Sequence, residues 1–446
     1  MITPKISEIR IYGLFGYLDH VIPLHSGGIT FVHGPNGCGK TTVLKIVAAI
    51  FEWQPYVLMS EEFNRVEIIK DDGVELVLAK IFEPDSEDDS ERKKTAALSF
   101  SVNVPDCEEY ILSRDMGSRI SASDIEDYLP HFTRVGPREW VDRKTGSRYE
   151  FAEALARIPD SSINFGKGGR PDWLRNYVAS ISLHFIKTQR LLNFDGFIGA
   201  SRRPRGTEES VTEVIQLYSN EIKELISKKL AEQAAVSQLH DRSFPERLLS
   251  LSDNEADSEE SIRTMYADTE QKIQKLVEAG LIDQQKNIAL PTKALEQTER
   301  KVLSLYLVDV NKKLGVFDEL QKKIEIFLEI VSPKLRTKDF SVNRQHGFSI
   351  ESRRQPGRPL SPAQLSSGEQ HQIVLFYELI FKAEPNAFFL VDEPEISWHV
   401  DWQRSFISDI HKISSLGDRS FLIATHSPQI IGSHRDLAVP LEEGIL

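Results

Sequence analysis

The run Gly34, Pro35, Asn36, Gly37, Cys38, Gly39, Lys40, Thr41, followed by Thr42, has the residue types and spacing that cradle a phosphate. Gly37 and Gly39 let successive backbone amides curl round an anion, and the amino end of a following helix favours its negative charge. Lys40 then reaches the β and γ phosphates of a nucleoside triphosphate, and Thr41 offers a hydroxyl to Mg2+. Cys38 reads as a small filler of the loop. Far along the chain, Asp392 and Glu393 close the apolar run of AFFLVDE. Asp392 suits a Mg2+ held through water, and Glu393 suits polarisation of an attacking water. His426 ends the next apolar run, in IATHSP; it is placed either to meet a γ-phosphate or simply as a satisfied polar residue. In LSSGEQ, Ser366 followed three residues later by Glu369 reads locally as a capping box ahead of the amphipathic run Ile373, Val374, Phe376, Tyr377 and Ile380.

These groups need elements to hold them. GITFVHG predicts a short strand running into the phosphate loop, and Thr41, Val43, Leu44, Ile46, Val47 and Ile50 predict a helix after it. The continuous apolar run of AFFLVDE predicts a strand buried on both faces of an α/β sheet, whose carboxyl end is where such sheets bind ligands. Residues 66–112 alternate as strands, with DDG as a hairpin turn, and predict an antiparallel sheet. Residues 120–180 read as mixed and mainly helical, followed by a strand in ISLHFIKTQRLL. From about 208 to 335 the periodicity is helical, with breaks expected at SFPERLLSLSDNEADSEES and at GLIDQQKNIALPTK.

The composition, 40% hydrophobic and 27% charged over 446 residues, fits a soluble globular chain of two or three lobes. No apolar run approaches the about 18 residues that span a bilayer, and MITPKISEIRIYG lacks a signal-peptide core, so the cytoplasm is the expected location. Two cysteines, Cys38 and Cys107, argue against a disulfide framework and by count exclude a Cys/His zinc cluster. A net charge of -13 argues against a protein that coats nucleic acid over its whole surface, while leaving room for a local basic groove. Its acidity is concentrated in part at 85–91 and 252–261, read as solvated loops.

Taken in order, GPNGCGKTT, LSSGEQ, FFLVDEPE and THSP resemble the nucleotide-binding domain of ABC ATPases. Within them they resemble the soluble AAA15/AAA21 group, related to overcoming-lysogenization-defect proteins and to Rad50/SMC heads. The likeness covers residues 1–60 and 345–435, and the middle matches only in kind. It implies an α/β, Rad50/SMC-like ABC head with an antiparallel β-subdomain and a helical insertion. The implied organisation is a first lobe at 1–200, a helical insertion at 201–340 and a second lobe at 341–446. ATP and Mg2+ follow from the same resemblance, with the nucleotide on Gly34 to Thr42. Gln189 in FIKTQR matches the Q-loop, which touches Mg2+ and the attacking water; His426 matches the switch histidine. Ser367, Gly368 and Glu369 match the signature, whose helix amino terminus meets the γ-phosphate held by a second copy. Self-association, head to tail or in a larger homo-oligomer, is therefore implied, and a monomer is expected to hydrolyse ATP poorly. One departure is His399, which stands where transporter ATPases carry an Asp and so points to the soluble group.

The related overcoming-lysogenization-defect nucleases carry a Toprim domain after the ATPase. Here LEEGIL closes the sequence with no downstream acids to complete such a site, so the effector is expected on a separate polypeptide. Length, helical insert and this ending most resemble the ATPases of the PARIS family of two-gene antiphage systems, with Septu ATPases close behind. That resemblance implies an ATPase oligomer holding a separate Toprim-type nuclease, with a phage protein as trigger. A rival reading is a Rad50-like repair head gripping DNA through Arg202, Arg203 and Arg205 or Arg353, Arg354 and Arg358, opposed by the lack of a long coiled coil. A third is a structural subunit that binds ATP and seldom turns it over.

Overall fold

The computed structural model describes residues 4–82, 95–113, 125–136, 139–143, 148–150, 154, 170–187, 209–250, 257–283 and 290–441. Its chain forms two compact units, Met1–Val211 with Glu378–Leu446, and Thr212–Tyr377. Gln189, Arg202, Arg203, Arg205, the acidic run 85–91, residues 252–256 and most of LEEGIL lie outside the described residues.

In the first unit an antiparallel sheet forms from the expected alternating segments. Strands β1 (Ile6–Leu14), β2 (Leu18–Pro23), β4 (Arg65–Lys70), β5 (Glu75–Phe82), β6 (Thr95–Val102) and β7 (Tyr110–Ser113) run in the order β2-β1-β4-β5-β6-β7. The DDG segment makes the β4–β5 turn, with Gly73 at φ 82°, where a side chain would be strained. A second, parallel sheet carries the phosphate loop. Strands β3 (Ile29–His33), β11 (Leu183–Ile186), β15 (Phe388–Asp392), β16 (Ser420–Ala424) and β17 (Ala438–Pro440) lie in the order β11-β15-β16-β3-β17, each pair parallel. Every residue of β15 is buried, as a strand covered on both faces requires. The register sets Asp392 beside Ala424 and Ala424 beside Val32, which brings the carboxyl ends of three strands level. The loops that leave those ends, 34–39, 393–399 and 425–427, thereby share one edge of the sheet.

The segment 120–180 is mixed among its described residues, with helix Ile125–Tyr128 ahead of a sheet that the sequence reading did not single out. Strands β8 (Phe132–Arg134), β9 (Glu139–Asp142) and β10 (Arg148–Glu150) form a small antiparallel sheet, with helix Asp172–Ala179 following. These strands are three or four residues long, too short for a period to register, and Trp140 anchors them by full burial.

The second unit is mostly helical: Glu209–Ser250, Glu259–Glu278, Gln297–Gly315, Asp318–Val331 and Ser367–Tyr377. A three-stranded antiparallel sheet, β12 (Lys338–Asn343), β13 (Gly347–Ser352) and β14 (Gln355–Pro359), completes it. Tyr218 stacks on Tyr377 with ring centroids 4.2 Å apart, and Phe327, Phe340 and Phe348 close round them. The break expected over SFPERLLSLSDNEADSEES falls in its second part, ahead of the helix that begins at Glu259: the first helix runs through Pro245 to Ser250. A proline there removes a backbone donor and crowds the preceding turn. The turn is held by tertiary contacts instead: Arg247 donates to both oxygens of the buried Asp309 at 2.7 Å and to the His240 carbonyl at 2.9 Å.

A buried lysine braces the first unit. Lys80 Nζ on β5 donates to the Met59 (3.1 Å) and Glu61 carbonyls at the end of helix Pro55–Ser60 and sits 4.5 Å from the Phe63 ring centre. Burial lowers its pKa from 10.5 to about 8, against the opposing pull of Glu61 and Glu62. Since the folded pKa lies below the unfolded one, the unfolded chain binds the extra proton between these two values. Stability from this group therefore rises with pH across about 8 to 10.5. Below that window the desolvation cost is constant. Urea unfolding of wild type and Lys80→Met at pH 7.5 and 10.5 is expected to show their stability difference moving by on the order of 3 kcal/mol in favour of wild type. An unchanged difference contradicts the assignment.

Candidate active site

The phosphate loop leaves β3 and turns into helix Lys40–Phe51, most of whose residues are buried. Gly37 and Gly39 both adopt φ 89°, the left-handed region that a side chain resists. Gly39 has a second reason to lack one, since a Cβ there would come within 2.4 Å of Leu14 on β1. Behind the loop, the His20 ring is hydrogen-bonded at 2.9 Å to the Cys38 carbonyl oxygen. Cys38 is buried, as a filler would be, while Pro35, Asn36 and Gly37 form the exposed tip.

Lys40 is buried, and its ammonium donates to the Gly34 and Pro35 carbonyls at 2.8 and 2.9 Å. The cation is thus held against the loop where phosphate oxygens are expected. Thr41 Oγ1 lies 3.0 and 3.1 Å from the two oxygens of Asp392, although 351 residues separate them in sequence. Thr42 follows on the first turn, half-buried.

Asp392 is buried at the end of β15, and Glu393 follows with φ 44°, an unusual value for a residue with a side chain. The Glu393 N–H donates to the Ala424 carbonyl at 2.9 Å, which holds that conformation. Its carboxyl lies 3.3 Å from His426 Nε2. Burial, then the Asp392 charge, raises the Glu393 carboxyl above the usual carboxylate range, while His426 and Lys40 pull the other way. The geometry therefore gathers a cation, a hydroxyl, two adjacent carboxylates and an imidazole at one sheet edge.

The Thr41 hydroxyl beside the Asp392 carboxylate is an all-oxygen donor pair, the kind Mg2+ accepts when phosphates and waters complete its octahedron. Among the described residues no cluster of three or more His, Cys, Asp or Glu side chains makes an all-protein metal cage. Thr41 and Asp392 would hold a Mg2+ that arrives with a nucleotide, and the ion would supply charge neutralisation at the phosphates.

Ser367, Gly368 and Glu369 belong to the second unit, on the first turn of helix Ser367–Tyr377. Ser367 is exposed and Gly368 buried. The local capping reading is realised: Glu369 Oε2 accepts from Ser366 N–H (2.7 Å) and Oγ (2.9 Å). Lys338 at the start of β12 donates to both Glu369 oxygens at 2.7 and 2.6 Å. Those donors tie the carboxylate to the turn that carries Ser367. His399, the departure from the transporter pattern, caps helix Val400–Ser414 by accepting the Asp401 N–H at 3.3 Å. Of the arginines weighed for DNA, Arg353 pairs with Asp339 at 2.7 Å.

A family model described as an AAA ATPase domain, AAA_15, matches residues 198–431, more than half of the chain. The chain belongs to the AAA_15 ATPase family. This AAA_15 chain is an ATPase, α/β in class, with the parallel and antiparallel sheets described above. Among solved structures it is similar to the Smc head domain with an extended coiled coil bound to the C-terminal domain of ScpA from Pyrococcus furiosus. That match has 15% identity and a TM-score of 0.36, covering 99% of this chain and 95% of that one. An Smc head domain with a coiled coil and joint from Pyrococcus yayanosii matches at 13% identity and a TM-score of 0.37, covering 99% and 96%. The SMC head domain from Thermotoga maritima matches at 10% and 0.34, covering 97% and 92%. No curated protein matches this AAA_15 chain. None of its described helices is long and apolar enough to cross a membrane.

Sequence reasoning passed over Glu395, Lys338 and His20 as site residues. Glu395 stood in the same DEPE run, but its partners lie 30 to 32 residues away and no spacing rule points to them.

Proposed function

We propose that this ATPase is the sensor and scaffold of a two-gene antiphage defence system, like AriA of PARIS. In this reading, ATP closes two copies and thereby holds or releases a separate Toprim-type nuclease of the AriB kind when a phage protein is detected. Lys40 and the loop amides bind the triphosphate, Thr41 and Asp392 hold Mg2+, Glu393 polarises the attacking water, and His426 contacts the γ-phosphate; Gln189 approaches the metal and water. Ser367 and Gly368 of a second copy close the site from the other side, where free helix N–H groups and a hydroxyl favour an anion. The observation that carries the catalytic part is the meeting of Thr41 with Asp392, which joins the phosphate loop to the two acids. The ordered signature turn, with Ser367 exposed above a Glu369–Lys338 pair, supports the two-copy part. The motif set and the helical unit support the PARIS-like assignment.

A mixing experiment tests the shared site. Lys40→Ala and Ser367→Arg chains are each expected to be inactive alone. Combined one to one, they are expected to recover about a quarter of wild-type hydrolysis, because half the dimers are mixed and each of those has one intact composite site. Activity that stays at background counts against a nucleotide shared between copies. The effector is tested by affinity purification from cells with the native operon: a stable Toprim-type nuclease in the complex is expected, and purification of the ATPase alone removes the defence reading.

A further inference from the structure

Glu395 has no role in the reading above, yet it has an unusual set of partners. Its Oε1 accepts from three successive residues: the Thr425 hydroxyl at 2.7 Å, the His426 N–H at 2.8 Å and the Ser427 N–H at 3.1 Å. Its other oxygen is buried with no hydrogen-bond partner among the described residues, although the residue as a whole is half-buried. Withdrawing a charge is costly, and donors aimed at an ionised acceptor are the stronger kind that can offset it. The turn is braced elsewhere too. Thr425 is wholly buried and its N–H donates to the Val32 carbonyl at 3.1 Å, on the strand that leads to the phosphate loop. Ser427 Oγ donates to Gln403 at 2.6 Å.

Glu395 and Glu393 leave the same strand end two residues apart. One carboxylate grips the backbone of His426 while the other meets its imidazole at 3.3 Å. We infer that Glu395 is a positioning residue for ATP hydrolysis, which holds the Thr425–Ser427 turn so that the His426 ring stays beside Glu393. This rests on the reading that Glu393 and His426 act on the nucleotide. A side chain that merely tied one loop to another would affect stability and leave turnover per folded molecule alone. A positioning group lowers kcat and acts through His426, because displacing a reacting group by about 1 Å costs on the order of 100-fold.

The test uses the full chain carrying Glu395→Ala, Glu395→Gln, His426→Ala and the double variants, with ATP turnover and the affinity of a fluorescent ATP analogue as readouts. Glu395→Ala is expected to lower kcat about 30-fold with affinity within about threefold of wild type. Glu395→Gln keeps an acceptor oxygen for the turn and is expected to recover most of that loss. Each double variant is expected to be no slower than His426→Ala alone, since the two residues work as one unit. Rate losses that multiply in the double variants, a Gln variant as slow as Ala, or a loss in affinity with kcat unchanged overturns the inference. Should Glu395→Ala not fold, Glu395→Asp, whose shorter side chain cannot keep all three donors, takes its place in the cycle with His426→Ala, by the same criterion. Slow Glu393→Gln and His426→Ala beside a normal Glu395→Ala sinks this inference alone. Normal turnover in Glu393→Gln and His426→Ala sinks the reading beneath it as well.

Discussion

Glu393→Gln is expected to lower ATP turnover by about 10²- to 10⁴-fold, the usual share of a positioned base, while the nucleotide still binds. The amide keeps the size and hydrogen-bonding reach of the acid and loses only its ability to draw a proton from water. The phosphate loop is untouched, since Lys40 is held by Gly34 and Pro35, and Thr41 meets Asp392. Bound ATP therefore persists, and size-exclusion chromatography with ATP is expected to show the variant accumulating in its closed, associated form. Stability is not expected to suffer. Burial already works against the charged form of Glu393, and the residue sits at φ 44° beside the like charge of Asp392. Active sites commonly carry such destabilising features, and removing the charge is expected to leave the melting temperature equal to wild type or above it. Turnover at the wild-type rate removes Glu393 from the water-activating role.

Lys40→Ala is expected to abolish measurable ATP binding, with affinity falling by at least about 100-fold, as loss of a desolvated charge pair to phosphate implies. Two effects add. The variant loses the only cation the loop itself brings to the triphosphate, and it leaves the Gly34 and Pro35 carbonyls without the donor that now holds them at 2.8 and 2.9 Å. Lys40→Arg is not expected to rescue binding. The ammonium is a compact point charge in a buried position, and a planar guanidinium has a different reach and a wider fork. Titration with a fluorescent ATP analogue checks both variants; near-normal affinity in Lys40→Ala contradicts the assignment of the loop.

The parts of this protein legible in its sequence are those whose physics is local. The phosphate loop needs left-handed glycines, a lysine and a hydroxyl within eight positions, and Gly37, Gly39, Lys40 and Thr41 stand where that requirement places them. The buried run of β15 and the helix after the loop carry their own periodicity, so the α/β class and the antiparallel sheet followed from pattern alone. The contacts that assemble the site are set by register. The motifs assigned both Thr41 and Asp392, 351 positions apart, to Mg2+, but it is parallel pairing, by aligning the ends of β3, β16 and β15, that brings them within 3.0 Å.

Other features were settled by partners distant in sequence. The helix passes Pro245 because Arg247 finds Asp309 on another helix, a gain that local propensity does not contain. The small sheet at 132–150 is made of strands too short to show a period, and its stability comes from burying Trp140. Glu369 stands in the signature motif, and only folding brings Lys338, 31 positions away, to its carboxylate. Glu395 looked like one more acid in DEPE until folding brought three donors to a single oxygen. Sequence determined which chemistry this chain carries, since that depends on residue type and near spacing. Tertiary structure decided which side chains face the reaction and which hold the others in place, because a hydrogen bond acts over about 3 Å and its partners meet only once the sheets are in register.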